Sequence, residues 1–432
     1  MNETIAFLYQ QYLQCKGIVT DSRNATTDKL FFALRGANFD GNAFAAQALS
    51  QGAVLAVVDD AQYKQDDDRY VLVDDSLKVL QTLANHHRKQ LTIPVIGITG
   101  SSGKTTVKEL MRDVLRCNYK VVATEDNLNN HIGVPLTLLS IKPETEIAII
   151  EMGANHKREI AALCEIAMPT YGLITKIGHM HIEGFGSFQG VIEGKRELYD
   201  YLFEHGGTVF VNSTDQLLHK LSSIFAESVS YPGAHDFYHC EYVTENPGVV
   251  YKDEDRRVIT SQLLGKFHFF NIAAALCVAK YFKVDAEKAA QAIQVYRPNN
   301  NRSQLLQKRD TIILLDAYNA NLETMKGAIE ALHRIPATSR VLILGEMNEL
   351  GAESERSHQE LGYFTKQGVY KAVLLCGPKM LAAKETNPDA THFPDKAALV
   401  HHLKKQKFDH TAVLIKGSRH LQMETIVDAI GQ

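Results

Sequence analysis

A run of small residues that ends in Lys-Thr-Thr is the part of this sequence with the clearest chemistry. Residues 97–106 read Gly-Ile-Thr-Gly-Ser-Ser-Gly-Lys-Thr-Thr and lie between the apolar run Ile93–Ile98 and a helical pattern. A strand that turns through glycines into a helix presents backbone N–H groups to an anion. Lys104 adds a positive charge, and the hydroxyl of Thr105 suits a magnesium ion. The segment is therefore predicted to bind phosphate groups of a nucleotide.

The glycine spacing of this loop is shorter than the common eight-residue phosphate-loop pattern, whose first glycine would fall on Ile98. A glycine turn beside a surface lysine is the alternative interpretation. Small residues that lead directly into a helix favour the phosphate-binding interpretation. The predicted nucleotide-binding residues of the loop are Gly100, Ser101, Ser102, Gly103, Lys104, Thr105 and Thr106.

An acidic residue ends the next strongly apolar run, Glu146–Glu151. In a parallel sheet, ligands collect at the carboxyl ends of the strands, so Glu151 is expected near the phosphate loop. Magnesium prefers hard oxygen ligands together with water and substrate phosphates. Glu151 is therefore predicted to hold magnesium together with Thr105, although an ordinary acid at a strand end is the alternative.

Two further polar segments follow strands in the same region. Asn127–Pro135 is rich in amides and suits contact with phosphate or a bound carboxylate, but it also suits a simple turn before a helix. His179–Ser187 sets imidazole and carboxylate groups beside glycines, and Lys195 follows in the helical stretch Val191–Phe203. Both come after the strand that follows Glu151, so their side chains are expected in the same cleft.

Length and composition indicate an ordinary multidomain enzyme. The chain has 432 residues, 45% apolar residues and a formal charge of −4, so three domains are expected and no basic field for nucleic acid or membrane is present. Its six cysteines lack the paired spacings of zinc or redox motifs. Without a leader pattern or a membrane-length apolar run, the sequence favours a cytoplasmic protein.

Strand and helix patterns alternate along the chain, which predicts an α/β protein with parallel sheets. We expect a small α/β domain over residues 1–90, a central parallel-sheet domain with the phosphate loop over 91–297, and a second nucleotide-type sheet over 298–432. Linkers near residues 91 and 298 are expected to permit rigid-body closure. The predicted strands include Leu30–Leu34, Val54–Val58, Ile93–Ile98, Glu146–Glu151, Tyr171–Thr175, Thr208–Val211, Thr311–Asp316, Arg340–Leu344, Ala372–Cys376 and Thr411–Ile415.

The flanking domains carry their own polar segments next to predicted strands. Thr20–Arg23 and Ala33–Gly41 concentrate hydrogen-bonding groups and glycine in the first domain, where turn chemistry explains them equally well. In the third domain, Asp316–Asn321, Gly345–Gly351 and Lys416–Arg419 all follow predicted strands. Three such loops at carboxyl ends favour a site that faces the central domain.

Taken in this order, the motifs resemble the Mur ligases of peptidoglycan precursor synthesis. The short phosphate loop, Glu151-Met152-Gly153, the His181-to-Lys195 stretch and Asn300–Ser303 carry the family resemblance. The amide-rich loop and the polar loops of the third domain are similar to those of the family member that adds D-alanyl-D-alanine. The resemblance extends over nearly the whole chain.

The resemblance implies three domains: an N-terminal UDP-sugar domain, a central P-loop ATPase domain and a C-terminal Rossmann-like domain. It implies a ligase that joins D-alanyl-D-alanine to UDP-N-acetylmuramoyl-tripeptide through an acyl phosphate, with ATP and two Mg²⁺ ions. Only these small molecules are expected as partners of a monomer, with no nucleic acid and no membrane insertion.

The resemblance also assigns residues. His181 would belong to a second metal site, and Lys195 corresponds to the lysine that carries a carbamate in relatives, so Lys104, Glu151, His181 and Lys195 are the expected catalytic residues. The expected nucleotide contacts across the domain junction are Asn271, Arg302 and Asp316. The expected substrate-binding residues are Ser22, Arg23, Arg35, Asn129, Asn130, Asn319, Asn321, Lys416, Ser418 and Arg419.

One segment departs from the family pattern. Relatives often have Gly-x-His-Asn-x-x-Asn near the adenine, whereas this chain has Phe267 and His268 at the two central positions and keeps Asn271. A stacked Phe267 is the expected substitute. The alternatives are a sibling ligase, adding the third amino acid or lengthening folate with glutamate, and a P-loop nucleotide switch. The sequence lacks the Asn-Lys-x-Asp motif with which a switch would recognise guanine, and a switch would leave the third domain unexplained.

Overall fold

The computed structural model describes residues 3–24, 26–36 and 38–430. Its first region is a parallel four-stranded sheet of order β1-β2-β5-β6 with a small antiparallel pair, β3-β4. Ala37, within the predicted polar segment Ala33–Gly41, lies outside the described residues. The elements are α1 (Glu3–Gln14), β1 (Ile18–Val19), β2 (Leu30–Phe32), β3 (Arg35–Gly36), β4 (Phe39–Asp40), α2 (Ala45–Ser50), β5 (Leu55–Val58), β6 (Tyr70–Leu72) and α3 (Ser76–Gln90).

The central region is a six-stranded parallel sheet of order β12-β11-β10-β7-β9-β8. A three-stranded antiparallel sheet, β13-β14-β15, accompanies it and was not predicted, because its first strand is mostly polar and exposed. The elements are β7 (Val95–Thr99), α4 (Lys104–Leu115), β8 (Val121–Ala123), α5 (Gly133–Leu138), β9 (Ile147–Glu151), α6 (Glu159–Ala167), β10 (Tyr171–Ile174), α7 (Ile182–Phe185), α8 (Phe188–Glu204), β11 (Thr208–Asn212), α9 (Gln216–Ser222), β12 (Val229–Tyr231), β13 (Glu241–Glu245), β14 (Val249–Lys252), β15 (Val258–Thr260), α10 (His268–Tyr281) and α11 (Ala286–Val295).

The third region is a six-stranded sheet of order β16-β17-β21-β18-β19-β20, parallel except for the antiparallel edge strand β16. Its elements are β16 (Gln304–Lys308), β17 (Thr311–Asp316), α12 (Leu322–His333), β18 (Ser339–Gly345), α13 (Ser354–Lys366), β19 (Ala372–Cys376), α14 (Leu381–Thr386), β20 (Thr391–Phe393), α15 (Lys396–Leu403) and β21 (Thr411–Lys416).

The predicted α/β architecture and the predicted strands are confirmed, with ends that differ by one or two residues. Thr311–Asp316 and Ala372–Cys376 form strands over the predicted residues. The domain boundaries at residues 90/91 and 297/298 stay predictions. No helix in the described part of the chain has the length and apolar character needed to cross a membrane.

The topology of the central sheet explains why polar residues meet at the phosphate loop. The loop joins β7 to α4, and the neighbours of β7 are β9, which ends in Glu151, and β10, which leads to His181. All three strands run in the same direction, so their carboxyl ends meet at one edge of the sheet. Ile96 and Ile98 of β7 pack on the side that α4 and α10 cover, which anchors the start of the loop.

The first region shares a continuous core with the central region. Leu80 and Leu83 of α3 belong to the same buried cluster as Leu138 and Leu163 of the central region. Arg88 is buried and donates hydrogen bonds to the carbonyls that end α6, at 2.9 Å from Ala167 O and 2.9 Å from Met168 O. These two regions are therefore held together by apolar packing as well as by hydrogen bonds.

Candidate active site

The surroundings of the phosphate loop require glycine at positions 100 and 103, on either side of its two serines. Gly100 and Gly103 both have positive φ, at +143° and +86°. A Cβ atom on Gly100 would lie 2.1 Å from Thr175 Oγ1, and one on Gly103 would lie 2.8 Å from Asn271 Oδ1. Only glycine fits both the conformation and the space. The short spacing between these glycines therefore corresponds to a turn that leads into α4.

Lys104, the first residue of α4, folds back over this loop. Its Nζ donates a hydrogen bond to Gly100 O at 2.6 Å. Burial lowers the pKa of Lys104 to about 8, while the charge of Glu151 opposes the shift and that of Arg302 adds to it. The amine therefore remains mainly protonated at neutral pH and suits a phosphate oxygen as a ligand.

Glu151 is held at the end of β9 by groups on three segments. One carboxylate oxygen, Oε1, accepts hydrogen bonds from Thr105 Oγ1 at 3.1 Å and Asn129 Nδ2 at 2.9 Å. The backbone N–H of Glu151 donates to Thr124 Oγ1 at 2.9 Å. The second oxygen, Oε2, is buried and has no hydrogen-bond partner in the described structure. A buried carboxylate oxygen without a partner is costly unless a ligand or ion completes it.

Lys195 is buried on α8, behind the cleft wall. Its Nζ donates to Ala154 O at 3.0 Å and lies 5.1 Å from the ring centroid of Phe185. Burial is the main cause that lowers the pKa of Lys195 to about 7, and the charge of Lys104 adds to this effect. A substantial fraction of the amine is therefore uncharged at neutral pH.

His181 lies at the junction between the central and third regions. Its backbone is left-handed, with φ of 55°, immediately before α7. The imidazole Nδ1 lies 2.6 Å from Glu349 Oε2 but without the alignment of a hydrogen bond. The neighbouring imidazole is the main cause of a lowered pKa for Glu349. A loop of the third region thus reaches the predicted metal side of the cleft.

The third region contributes a tight polar group opposite the phosphate loop. Lys416 Nζ lies 2.5 Å from Asp316 Oδ2 and donates to Asn319 O at 3.0 Å. The Arg302 guanidinium lies 3.5 Å from the ring centroid of Tyr318, and its Nε is buried without a hydrogen-bond partner among the described residues. Arg302 therefore has a donor available for a ligand.

Most of the predicted site residues line one cleft of about 1320 Å³. This cleft lies between the central sheet and the third region and also reaches Lys78 and Gln81 of α3. The predicted residues that line it are Ser101, Ser102, Gly103, Lys104, Thr105, Thr106, Asn129, Asn130, Glu151, His181, Asn271, Arg302, Asp316, Asn319, Asn321, Lys416, Ser418 and Arg419.

The predicted residues of the first region do not line this cleft. Ser22 is buried, Arg23 pairs with Asp21 at 2.7 Å, and Arg35 pairs with Asp59 at 2.9 Å. Lys195 and Gly100 do not line the cleft either. Each forms a hydrogen bond with a residue that does, Lys195 with Ala154 and Gly100 with Lys104. The structure thus does not bring Ser22, Arg23 and Arg35 together with the phosphate loop.

Two of the predicted asparagines have clear structural bonds. Asn130 Oδ1 accepts from Gly133 N at 2.9 Å, at the start of α5. Asn321 caps α12, with its Oδ1 accepting from Thr324 N at 2.8 Å in a reciprocal capping box. Helix capping therefore explains the residue type at Asn321, whereas Asn130 Oδ1 closes a turn just before α5, whose N-cap residue is Ile132.

Several residues of the site were not predicted from the sequence. Thr124 orients the backbone of Glu151, and His268 bonds to Asn271 at 3.1 Å. Lys176, after β10, forms an ion pair with Glu323 of α12 across the junction. Thr124 could have been predicted from the sequence, because it follows a strand. The contact of Lys176 with Glu323 joins segments that are distant in the sequence, so no local pattern indicates it.

Comparisons with known proteins agree with this geometry. Family models match residues 14–88 (Mur ligase family, catalytic domain), 98–279 (Mur ligase middle domain) and 301–419 (Mur ligase, glutamate ligase domain). The chain is 35% identical to the UDP-N-acetylmuramoyl-tripeptide--D-alanyl-D-alanine ligase of Escherichia coli, over 96% of this chain and 93% of that protein.

Solved structures support the same relationship. A crystal structure of MurF from Acinetobacter baumannii superposes with a TM-score of 0.84 at 26% identity, over 97% of both chains. MurF from Thermotoga maritima in complex with ADP gives a TM-score of 0.83 at 26% identity, over 96% of this chain and 97% of that one. The cleft, the three matched segments and the full-length similarity lead to one conclusion: this chain belongs to the Mur ligase family.

Proposed function

We propose that this chain is the ATP-dependent ligase that joins D-alanyl-D-alanine to UDP-N-acetylmuramoyl-tripeptide in peptidoglycan precursor synthesis. The observation that carries the proposal is the single cleft in which a phosphate loop, an unsatisfied carboxylate and the polar group of the third region face one another. Full-length similarity to a ligase with this activity in Escherichia coli supports the choice of substrates.

The cleft suits MgATP. Gly100–Thr106 and Lys104 offer N–H groups and a cation to the phosphates, and Thr105 with Glu151 offers hard oxygen ligands of the kind magnesium prefers. Oε2 of Glu151, which has no hydrogen-bond partner among the described residues, would be a ligand of such an ion. When bound, the ion would neutralise charge on the phosphates. Asn271, Arg302 and Asp316 are proposed to contact the rest of the nucleotide.

The proposed reaction has two steps. The terminal carboxylate of the tripeptide attacks the γ-phosphorus, forms a C–O–P bond and releases ADP. The neutral amine of D-alanyl-D-alanine then attacks the acyl carbon, so that the C–N bond forms, the C–O bond to the leaving phosphate breaks, and the nitrogen releases one proton to solvent. A free carboxylate is a poor acylating agent, so the first step makes the second feasible. The protein chiefly positions the reactants and stabilises negative charge, as Lys104 and Arg302 can do.

A second ion at His181 and a carbamate on Lys195 are part of this proposal. Carbamate formation requires an uncharged amine to attack carbon dioxide, and the lowered pKa of Lys195, about 7, supplies that form. The modification would replace a positive charge by a negative one with two oxygen ligands. His181, within the cleft, would supply a nitrogen ligand from the other side.

Residues of all three regions are proposed to hold the two substrates. Asn129, Asn130, Asn319, Asn321, Lys416, Ser418 and Arg419 line the cleft and suit the peptide and dipeptide groups. Ser22, Arg23 and Arg35 lie outside it, and we propose that they receive the UDP end of the long substrate. We further propose that the enzyme acts as a monomer in the cytoplasm.

Phosphate release tests the proposal. ATP is supplied with UDP-N-acetylmuramoyl-tripeptide and D-alanyl-D-alanine, each alone and then together. Rapid release is expected only when both are present. Release that does not depend on the dipeptide would defeat the ligase assignment. Parallel reactions with UDP-N-acetylmuramoyl-dipeptide and the third amino acid, or with a folate and glutamate, would reveal the activity of a sibling ligase.

A further inference from the structure

His268 is a buried residue of the central region that forms hydrogen bonds to two different parts of the cleft. It is the first residue of α10. Its Nδ1 lies 3.1 Å from Asn271 Nδ2, and its Nε2 lies 3.3 Å from Ser303 Oγ. One bond stays within the central region, and the other crosses to the segment that starts the third region.

The chemistry of the partners determines the tautomer of this imidazole. With the Asn271 amide oriented as in this structure, its nitrogen donates and Nδ1 of His268 accepts, which places the ring proton on Nε2. That N–H then donates to the hydroxyl of Ser303. Burial lowers the pKa of His268 to about 4, although the charge of Asp316 opposes the shift. The ring is therefore neutral, with one acceptor and one donor.

On the nucleotide side, Asn271 packs directly against the phosphate loop. Its Oδ1 lies 2.8 Å from the position that a Cβ atom on Gly103 would occupy. The donor of its amide is directed to His268, so the orientation of the Asn271 side chain depends on the acceptor at Nδ1. Any shift of His268 would therefore alter the polar surface beside the phosphates.

On the other side, Ser303 belongs to a turn with an unfavourable backbone. Ser303 has a φ of 49°, which a serine adopts only when its surroundings hold it there, and Asn301 has a φ of 59°, which asparagine tolerates. Ser303 N donates to Asp316 Oδ1 at 3.0 Å, and Asp316 Oδ2 pairs with Lys416. Arg302 lies between these two left-handed residues, and its Nε has no hydrogen-bond partner among the described residues.

We propose that His268 is a positioning residue that couples the phosphate loop to Arg302, Asp316 and Lys416 of the third region. The neutral ring holds Asn271 against the loop and at the same time clamps the turn that presents Arg302 to the cleft. The inference rests on the proposed function, since it concerns closure around the nucleotide that the ligase uses. A core histidine with a purely structural role would affect stability only.

The test uses two substitutions at His268 and one control. His268→Phe keeps an aromatic ring but removes both hydrogen bonds. His268→Gln keeps one acceptor and one donor at similar reach. His87→Phe is the matched control, because His87 is also buried and hydrogen-bonded, at 3.2 Å to Ile141 O, but does not line the cleft.

For each protein, kcat, the KM for ATP and the KM for D-alanyl-D-alanine are measured at equal folded fraction. His268→Phe is expected to lower kcat/KM for ATP about 100-fold, the scale of a small misplacement of reacting groups, with the KM for the dipeptide unchanged. His268→Gln is expected to recover most of this loss. His87→Phe is expected to lower thermal stability without changing any of the three constants.

Nucleotide-induced compaction gives a second measurement. Small-angle scattering with a non-hydrolysable ATP analogue is expected to show compaction of the wild-type enzyme and of His268→Gln but less of His268→Phe. If His268→Phe compacts and turns over normally, or if its losses match those of His87→Phe, the inference is wrong. Failure of the proposed function would be seen instead in the wild-type enzyme, as phosphate release that ignores the dipeptide.

Discussion

At the scale of single residues, the site is built from groups that are incomplete on their own. Glu151 has one carboxylate oxygen that accepts hydrogen bonds from Thr105 and Asn129, and a second that is buried and has no partner among the described residues. Lys195 has been moved by burial to a pKa of about 7, where an amine is reactive. Such groups cost stability in the free protein, and they are the ones that substrate, metal or modification would complete.

Replacement of Lys195 by Ala tests the carbamate. The variant is expected to lose about 100-fold or more in kcat, because the oxygen ligands proposed to hold a metal ion beside the developing charge would be missing. Acetate or propionate in the buffer is expected to restore part of the activity by supplying a carboxylate in the vacated space. Steady-state phosphate release gives both values.

Lys157→Ala is the control for this substitution, since Lys157 lies on the same side of the central region but is exposed and pairs with Glu193 at 2.6 Å. It should retain activity and show no response to acetate. Unchanged activity of Lys195→Ala would disprove the carbamate proposal, and equal stimulation of both variants would show that the salt acts elsewhere.

The buried neutral His268 predicts a pH dependence of stability. Its pKa is lowered from 6.5 to about 4, so between these pH values the unfolded chain binds a proton that the folded chain does not. This contribution to stability is complete above pH 6.5 and is lost as the pH falls through the window, by up to about 1.4 kcal/mol per pH unit. Urea unfolding at pH 7 and pH 5 should therefore show a smaller pH-dependent loss for His268→Phe than for the wild type. Identical losses would contradict the lowered pKa.

At the scale of elements, strand order and helix caps bring the polar loops together. β7 has β9 and β10 as neighbours, so Glu151 and the His181 segment reach the phosphate loop by topology alone. In the third region, α12 starts at the capping box of Asn321 and Thr324, directly after the loop that contains Asn319. The cap fixes where the helix begins and thus where that loop ends.

Replacement of Asn321 by Ala separates capping from substrate binding. Loss of the N-cap is expected to lower the free energy of unfolding by about 1 kcal/mol. Asn321→Ser keeps a capping oxygen and should retain most of the stability. Denaturant unfolding measures the first effect, and the KM for D-alanyl-D-alanine measures the second.

Asn319→Ala provides the comparison, because it removes a proposed substrate contact without removing a helix cap: in the described part of the chain, the Asn319 side chain accepts only the N–H of Ala320, at 2.8 Å. If Asn321 binds the dipeptide as well as capping α12, Asn321→Ser should raise the KM while it preserves stability. A KM that stays constant in Asn321→Ser would restrict this residue to its structural role.

At the scale of the whole molecule, the two junctions between regions differ in kind. The first and central regions share one apolar core and the buried Arg88. The contacts of the third region with the central region include polar and ionic pairs, such as His181 with Glu349, and Leu264 of the central region adds one buried apolar side chain to the third region's core. Polar contacts exchange readily with water, whereas opening an apolar core costs a free energy of about 25 cal/mol for each Å² of apolar surface that becomes exposed.

Closure is therefore expected to pivot near residue 298 and not near residue 91, although the sequence alone suggested both. Fluorescent labels on the first and central regions should keep their distance when both substrates and a non-hydrolysable nucleotide are added. Labels on the central and third regions should approach each other. Paired distance measurements with each label position tested for activity would decide this.

A change of equal size in both distances would mean that the apolar junction also opens. No change in either would mean that the polar contacts at the third region already hold the arrangement without ligand. The first outcome would contradict the assignment of the pivot, and the second would contradict closure itself.

The sequence by itself determined the phosphate loop, the strand that ends in Glu151 and the alternation of strands and helices, because these depend on residues close together in the chain. Most of the site residues that it identified, through their place after strands or through the family resemblance, line the cleft. Only the tertiary structure decided that His268 connects Asn271 to Ser303, that Glu349 faces His181 and that the first and central regions share a core. Such contacts depend on how distant segments are oriented, and no local spacing encodes that orientation.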